Sequence, residues 1–194
     1  MNYTITKTDK QGRNAVDLFS EDFMTNRRIW ISGPIDAETA RETVVALEYL
    51  DSVGADDITV TISSPGGSVS DGLAILDAMR RCRSDIVTVA TGMAASMGAF
   101  LAACGGTPGK RFVTPLCEVM IHQPLGGIYG QATEIELAAQ HILKVKRMLN
   151  ETLAEATGRT VEEIARDTDR DNFMSAEEAV AYGLADAVLG AERR

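Results

Sequence analysis

The sequence has little cysteine. Cys82, Cys104 and Cys117 are the three cysteines of the 194-residue chain, and no two of them form a CxxC pair. An isolated and odd set of this kind argues against a disulfide framework and against a zinc site. It is typical of proteins that work in a reducing compartment.

Basic charge and long apolar runs are scarce as well. The chain has 19 Lys and Arg against 28 Asp and Glu, a formal net charge of −9, and no basic stripe, which argues against nucleic-acid binding. No window approaches the roughly 18 uncharged apolar residues of a membrane span. The polar residues 1–14 lack the apolar segment of a secretory signal. We therefore expect a cytoplasmic location and no membrane partner.

The apolar residues that are present predict an α/β fold. Three apolar runs begin about thirty residues apart, the length of one strand–helix–strand unit. We predict strands over residues 28–32, 58–62 and 85–90, and helices over residues 37–53 (between Asp36 and Gly54), from Ser70 or Asp71 onward, and from near Ser96 to Gly105. Such repeated units predict one domain with a mainly parallel sheet and ligands at the carboxyl ends of its strands.

The second half of the chain contains one long helical pattern. Residues 118–122 read as a strand that ends in His122, and residues 131–157 as a helix with an apolar stripe. At 1.5 Å per residue this helix would run roughly 40 Å, longer than a domain of this size needs. We expect it to pack on a partner subunit as well as on its own core; the alternative is a long core helix in a monomer. Short helices over 160–167 and 175–182 and a strand over 184–189 complete the chain.

Ser96 lies in "GMAASMGAF", among small residues at a predicted strand-to-helix turn. The first N–H groups of a helix lack internal partners, and together with the helix dipole they suit a developing oxyanion. The pattern G-x-S-x-G is half present, since Ala94 replaces its first glycine. Ser96 is therefore either a nucleophile or an ordinary helix cap.

A serine nucleophile needs a base, and the chain has two histidines. His141 falls within the long helix and reads as a surface or interface residue. His122 ends a predicted strand, where it is either structural or the base for Ser96. The acid that would orient the histidine is left open by local physics; the candidates are Asp167, Asp169, Asp171 and Asp186.

The segment "SSPGGSV", residues 63–69, follows the second predicted strand. Paired glycines expose backbone N–H groups, so the segment can supply an oxyanion donor and an extended edge for a peptide. The alternative is an ordinary turn.

Four separated segments together carry a resemblance: "SPGGSV", "GMAASMGAF", "VMIHQPLGG" and "DRDNFMSAEEAVAYGL". In order and spacing they resemble the proteolytic subunits of the Clp protease (ClpP) family over residues 29–189. The resemblance implies a crotonase-like spiral α/β fold. It also implies an N-terminal axial-loop segment over 1–20 and a single peptidase domain over 21–194, with a handle helix over about 131–157.

The resemblance implies a serine peptidase and assigns roles to residues. Ser96 would be the nucleophile, His122 the general base, Asp171 the orienting acid, and Gly67 and Met97 the oxyanion-hole donors. Substrate backbone would bind near Ser68, Val69 and Leu125, and the pair Asp169 and Arg170 would couple assembly to activity. The alternatives are an acyl-CoA hydratase or isomerase of the crotonase class, and a catalytically silent ring subunit.

The resemblance also implies partners. Family members form two heptameric rings, a tetradecamer, and receive unfolded polypeptides from a hexameric Clp ATPase. ATP is used by that partner, so we expect no cofactor and no metal in this chain. Thr59 and Thr61 stand where family members commonly carry aromatic residues near the ATPase pocket. From this we hypothesise a mixed barrel with a second ClpP-type subunit.

Overall fold

The computed structural model describes residues 3–9 and 12–190. The predicted N-terminal segment 1–20 therefore lies outside the described residues at 1–2 and 10–11, and the predicted peptidase domain 21–194 does so at 191–194. The elements in chain order are β1 (Thr4–Asp9), β2 (Gly12–Asp17), α1 (Leu18–Asn26), β3 (Arg28–Ser32), α2 (Ala37–Val53), β4 (Ile58–Ser64), α3 (Val69–Arg81), β5 (Ile86–Ala95), α4 (Met97–Gly105), β6 (Arg111–Val113), β7 (Glu118–Ile121), α5 (Ala132–Thr157), α6 (Val161–Asp167), β8 (Asn172–Met174), α7 (Ala176–Tyr182) and β9 (Ala187–Val188).

Among the described residues, the main sheet has seven strands. Five of them follow the order β3-β4-β5-β6-β9 and pair in parallel. The long strand β5 pairs with β6 through its first half and with β7 through its last three residues, and β8 joins β7 in the antiparallel sense. Strands β1 and β2 form a separate antiparallel hairpin. The predicted α/β class with a mainly parallel sheet is confirmed, and the architecture is that of the ClpP/crotonase-like fold.

The ends of the first predicted helix are confirmed. The Asp36 carboxylate accepts a hydrogen bond from the Thr39 N–H at 2.9 Å and caps α2, and Gly54 follows its last residue. The predicted start of α3 at Ser70 or Asp71 is wrong. The N-cap is Ser68, whose hydroxyl accepts from the Asp71 N–H, so the helix begins at Val69.

Helix α4 is the central helix of the domain. All nine of its residues are buried, because it packs between the sheet and helices α3 and α5. A helix that is apolar on every side belongs in the interior. The residue before this helix, Ser96, is therefore held by a rigid scaffold.

Arg111 on β6 ties three helix ends to the sheet. Its guanidinium donates to the carbonyls of Ala103, Ala156 and Gly183, at the ends of α4, α5 and α7, at 3.3, 2.8 and 3.0 Å. It also pairs with the Asp186 carboxylate. Burial acts to raise the pKa of Asp186, but the hydrogen bonds from Arg111 outweigh it and hold that pKa below its ordinary value.

Helix α5 matches the predicted long helix, with Gln131 as its N-cap. Its buried residues, Leu149, Asn150, Leu153 and Ala154, all lie in the C-terminal half. Large apolar side chains of the other half are exposed, among them Ile135, Leu137 and Leu143. Within this chain α5 is therefore a core helix only along its C-terminal half, and the packing of its other half on a partner subunit stays a prediction.

Several elements were not predicted. Strands β6 and β8 have three residues each, and the hairpin β1–β2 is largely polar and exposed. The predicted boundary at residue 20 falls inside α1, and an axial-loop role of the preceding segment stays a prediction. None of the described helices combines the length and the apolar content needed to cross a bilayer.

Candidate active site

The sheet brings Ser96 beside His122. Strands β5 and β7 run in parallel with Ala95 opposite Met120, and each strand ends within one residue of that pair. The Ser96 N–H continues the ladder by donating to the Met120 carbonyl at 2.8 Å. Because parallel strands end at the same edge of the sheet, the residues that follow them meet there.

The neighbouring pair of strands brings Asp171 to the same place. Strands β7 and β8 are antiparallel, with Ile121 opposite Asn172. In such a register the residue after Ile121 faces the residue before Asn172. These two residues are His122 and Asp171.

The three side chains form a continuous chain of hydrogen bonds. The Ser96 Oγ lies 2.9 Å from His122 Nε2, and His122 Nδ1 lies 3.0 Å from Asp171 Oδ1. A carboxylate accepts, so Nδ1 carries the proton and Nε2 is free to accept the hydroxyl of Ser96. The imidazole is largely buried, whereas the Asp171 side chain is 60% exposed.

The other candidate acids have different partners. Asp167 accepts from Arg166 and Tyr182, and Asp186 pairs with Arg111. Asp169 contacts Gln123, whose amide donates to its carbonyl at 2.8 Å and to its carboxylate at 3.4 Å. The structure thus brings Asp171 to the imidazole and keeps these three acids away from it. His141 is exposed on α5, outside the group.

Ser96 does not cap helix α4. It occupies the N-cap position, but its hydroxyl makes no capping hydrogen bond and turns to His122 instead. Its backbone has φ 54° and ψ −122°, a strained conformation for a residue with a Cβ. Such strain costs on the order of 1–3 kcal/mol and is found at functional sites. The helix-cap interpretation is therefore wrong.

Glycines make room for this turn. A Cβ built on Gly66 would lie 2.6 Å from Ser96 Cβ and 3.0 Å from Met97 N, and one on Gly98 would lie 2.8 Å from the Ser64 carbonyl oxygen. The turn after β4 therefore packs directly against the backbone of Ser96 and Met97. This explains why small residues surround the serine, although the G-x-S-x-G pattern is incomplete.

Two backbone N–H groups lie beside the serine. Ile35 pairs with the residues on either side of Gly67, donating to the Gly66 carbonyl at 2.9 Å and accepting from Ser68 at 2.8 Å. The N–H of Gly67 therefore points away from Ile35. Met97 is the first residue of α4, so its N–H has no partner within the helix. Neither N–H bonds to a backbone acceptor of the described residues.

Val69 and Leu125, two of the three predicted substrate-binding residues, line the space next to this site. Val69 contributes both to a small cavity of about 30 Å³ against Ser96 and to a groove of about 900 Å³ along α5. Leu125 is exposed and forms another wall of the groove. The Ser68 hydroxyl is engaged with Ser70 and the α3 N-terminus, its N–H donates to Ile35, and its carbonyl accepts from Gly72, so substrate binding at Ser68 stays a prediction.

Asp169 and Arg170 lie at the surface just before Asp171. Their side chains are both exposed and approach each other at 3.8 Å. Gln123 joins this loop to the handle helix, because Lys146 donates to its side-chain oxygen at 2.8 Å. Sequence reasoning missed Gln123, which is one residue after His122.

Asn150 was also missed, although it lines the small cavity. The signal in the sequence was a polar residue on the inner face of the long helix, between Leu149 and Leu153. Across the described residues, no group of three or more His, Cys, Asp or Glu side chains comes together as a metal site would require.

The model of the Clp protease family matches residues 10–192, nearly the whole sequence. The chain belongs to the Clp protease family. The resemblance noted in the four sequence segments is thereby confirmed, and the chain is a ClpP-type protein. Within the shared ClpP/crotonase-like fold, the match is to the protease family, which argues against the acyl-CoA hydratase or isomerase alternative.

Proposed function

We propose that this chain is a serine endopeptidase that cleaves unfolded polypeptides, as the proteolytic subunit of an ATP-dependent Clp protease. The observation that carries the proposal is the hydrogen-bonded series from Ser96 through His122 to Asp171, at 2.9 and 3.0 Å. A nucleophile bonded to a base, and that base bonded to an orienting acid, is the arrangement of acyl-transfer catalysis.

The chemistry follows from these positions. His122 accepts the proton of Ser96 as the hydroxyl oxygen attacks the peptide carbonyl, and Asp171 stabilises the imidazolium that forms. The N–H groups of Gly67 and Met97 donate to the oxyanion; one such donor contributes about 3–4 kcal/mol. The imidazolium then protonates the departing amine. A water that loses its proton to His122 hydrolyses the acyl-enzyme.

The groove supports a polypeptide substrate. It runs from Val69 beside the serine to the exposed Leu125. We propose that an extended peptide substrate binds along it. We propose that ATP is consumed by a hexameric Clp ATPase that delivers the substrate, and that this chain itself uses no cofactor and no metal. The cytoplasmic location stays a prediction.

The exposed apolar half of α5 supports assembly. Ile135, Leu137 and Leu143 would be covered by a second copy across the ring interface, in a tetradecamer of two heptameric rings. Asp169 and Arg170, exposed beside Asp171, are placed where a contact between rings would act on the site. Thr59 is half-buried and Thr61 buried on β4, so this strand offers an ATPase little apolar surface. This supports the mixed barrel with a second ClpP-type subunit.

The test combines sizing with two activity readouts on the purified full chain. Ser96→Ala should abolish cleavage of short fluorogenic peptides and labelling by a fluorophosphonate, with unchanged assembly. Ser52→Ala is the matched control, because Ser52 bonds only the Tyr49 carbonyl on α2, far along the chain from the site. Undiminished cleavage by Ser96→Ala would refute the proposal. An assembled ring without labelling at Ser96 would identify a silent subunit, and full activity of the chain alone would argue against the mixed barrel.

A further inference from the structure

A short loop carries the acid of the candidate site. The loop, residues 168–171, joins the end of α6 to the start of β8, and Asp171 is its last residue. The Asp171 side chain is 60% exposed, and among the described residues it has one hydrogen-bond partner, the His122 ring. Water competes for an exposed carboxylate, so one such bond holds the acid only weakly. The position of the acid therefore depends on what holds the loop.

Gln123 holds this loop through its backbone and its side chain. Its backbone N–H donates to the Thr168 carbonyl at 2.7 Å. Its side-chain Nε2 donates to the Asp169 carbonyl at 2.8 Å and approaches the Asp169 carboxylate at 3.4 Å. Because Gln123 directly follows His122 in the chain, these bonds tie the loop of the acid to the backbone that carries the base.

Lys146 on α5 fixes the orientation of the Gln123 amide. Its Nζ donates to Gln123 Oε1 at 2.8 Å, and the bond is partly buried. An ammonium group only donates and a carbonyl only accepts, so both neighbours require the amide oxygen toward Lys146 and the amide nitrogen toward Asp169. Hydrogen bonds to a charged group are also stronger than neutral ones. A continuous series of contacts thus runs from α5 through Gln123 to the loop that ends in Asp171.

Neither Lys146 nor Gln123 lies where a substrate would bind. Among the described residues, the small cavity against Ser96 and the groove along α5 are lined by the sequence neighbours of Lys146 and Gln123, but not by these two residues themselves. A change at either position should therefore leave substrate binding intact and act on the reaction through the loop.

We propose that Lys146 and Gln123 are positioning residues that hold Asp171 against His122. The inference rests on the proposed peptidase function. The hydrogen bond to Asp171 keeps the ring proton of His122 on Nδ1 and leaves Nε2 free to accept. When the loop moves, the ring loses the partner that fixes this tautomer, and the base is then partly in the wrong form.

Two substitutions break the series at different points. Gln123→Glu keeps an acceptor for Lys146 but turns a carboxylate oxygen toward the carbonyl and carboxylate of Asp169, which repel it. A resulting displacement of about 1 Å at a reacting group costs on the order of a hundredfold in rate. Lys146→Met removes one hydrogen bond from a charged donor and should cost about tenfold.

The experiment measures kcat and KM for one fluorogenic peptide, together with the size of the assembly. Gln123→Glu and Lys146→Met should lower kcat by about a hundredfold and about tenfold, with KM and assembly unchanged. Thr152→Val is the control on α5, because the Thr152 hydroxyl bonds the Met148 carbonyl of its own helix; it should keep the wild-type kcat. An unchanged kcat in Gln123→Glu, a loss confined to KM, or a loss of kcat that accompanies a smaller assembly would overturn the inference.

NMR of the histidine nitrogens separates this inference from the peptidase proposal. Nitrogen chemical shifts show which ring atom of a neutral imidazole carries the proton, and the chain has two histidines, so the exposed His141 is an internal reference. In protein with isotope-labelled histidine, His122 should carry its proton on Nδ1 in the wild type and on both ring nitrogens in part in Gln123→Glu, with His141 unchanged.

A change of the His122 tautomer supports the inference even if the wild type cleaves no peptide. The same tautomer in wild type and Gln123→Glu overturns it, even if the wild type is an active peptidase. Lys146→Met is measured in the same way and decides the question if Gln123→Glu does not fold.

Discussion

Replacing Gly66 by alanine tests how closely the turn after β4 must approach the nucleophile. The new Cβ would lie 2.6 Å from Ser96 Cβ, 2.8 Å from the Ala95 carbonyl oxygen and 3.0 Å from Met97 N. Two of these three atoms belong to the backbone and cannot rotate away. To reach an ordinary contact distance, the turn or the serine must move by about 1 Å.

The expected loss has two parts. Gly66 has a φ of +95°, which an alanine adopts at a cost of about 1–2 kcal/mol in stability. A displacement of about 1 Å at reacting groups costs on the order of a hundredfold in rate. Gly109→Ala is a matched control, because Gly109 has a φ of +85° but a Cβ there meets nothing within 4 Å. It should lose similar stability and no activity.

The assay compares the rate of peptide cleavage and of fluorophosphonate labelling at Ser96 with the free energy of unfolding in urea. Gly66→Ala should lose about a hundredfold in both rates, while Gly109→Ala retains them. Equal loss of activity in the two variants would show that backbone strain alone is responsible. Full activity in a stable Gly66→Ala protein would refute the close-packed turn.

Two further predictions concern groups outside the site. Arg111→Met removes the cation paired with the half-buried Asp186 and should lower the free energy of unfolding by about 3–5 kcal/mol, whereas Arg83→Met, at an exposed ion pair, should cost at most about 1 kcal/mol. Because Arg111 lowers the pKa of Asp186, the ion pair stabilises the folded protein fully at neutral pH, and this stabilisation is lost as the pH falls through the lowered pKa. The free energy of unfolding of Arg111→Met should lack this decrease at acid pH. The same pH dependence in Arg111→Met and wild type would contradict the reasoning. Burial raises the pKa of Cys104 to about 12, whereas Cys82 is only half-buried. Iodoacetamide should therefore modify Cys82 before Cys104 in the native protein, as measured by mass spectrometry of peptides. Equal rates of modification at the two cysteines would contradict this prediction.

Local pattern was sufficient for the long, buried elements. Strand β3 matches its predicted range, and β4 and β5 begin at or within one residue of theirs, because continuous apolar runs mark buried parallel strands. Both ends of α2 were also predictable, because the capping residues Asp36 and Gly54 act only on the helix that they border. Strands β6 and β8 are too short for a periodic pattern, and pairing with distant residues determines them.

The candidate site divides in the same way. Ser96 and His122 could be named as candidates from the residues, the one from its small neighbours and the other because histidine is scarce, but a helix cap and a structural histidine stayed open as alternatives. Asp171 was not predictable from local chemistry, because three other acids were equally suitable. The register of Ile121 against Asn172 distinguishes it, and that register joins positions 51 residues apart in the sequence.

The pairing of β7 with β8 has a consequence for the timing of synthesis. The serine, its glycine-lined turn and the imidazole are all translated before residue 123, but the carboxylate that orients the ring arrives with the short strand at Asn172–Met174. A ribosome-bound polypeptide that is half made therefore holds an imidazole with no anchor. The hydrogen-bonded series from Ser96 to Asp171 is therefore completed only after strand β8 has been added and has paired with β7.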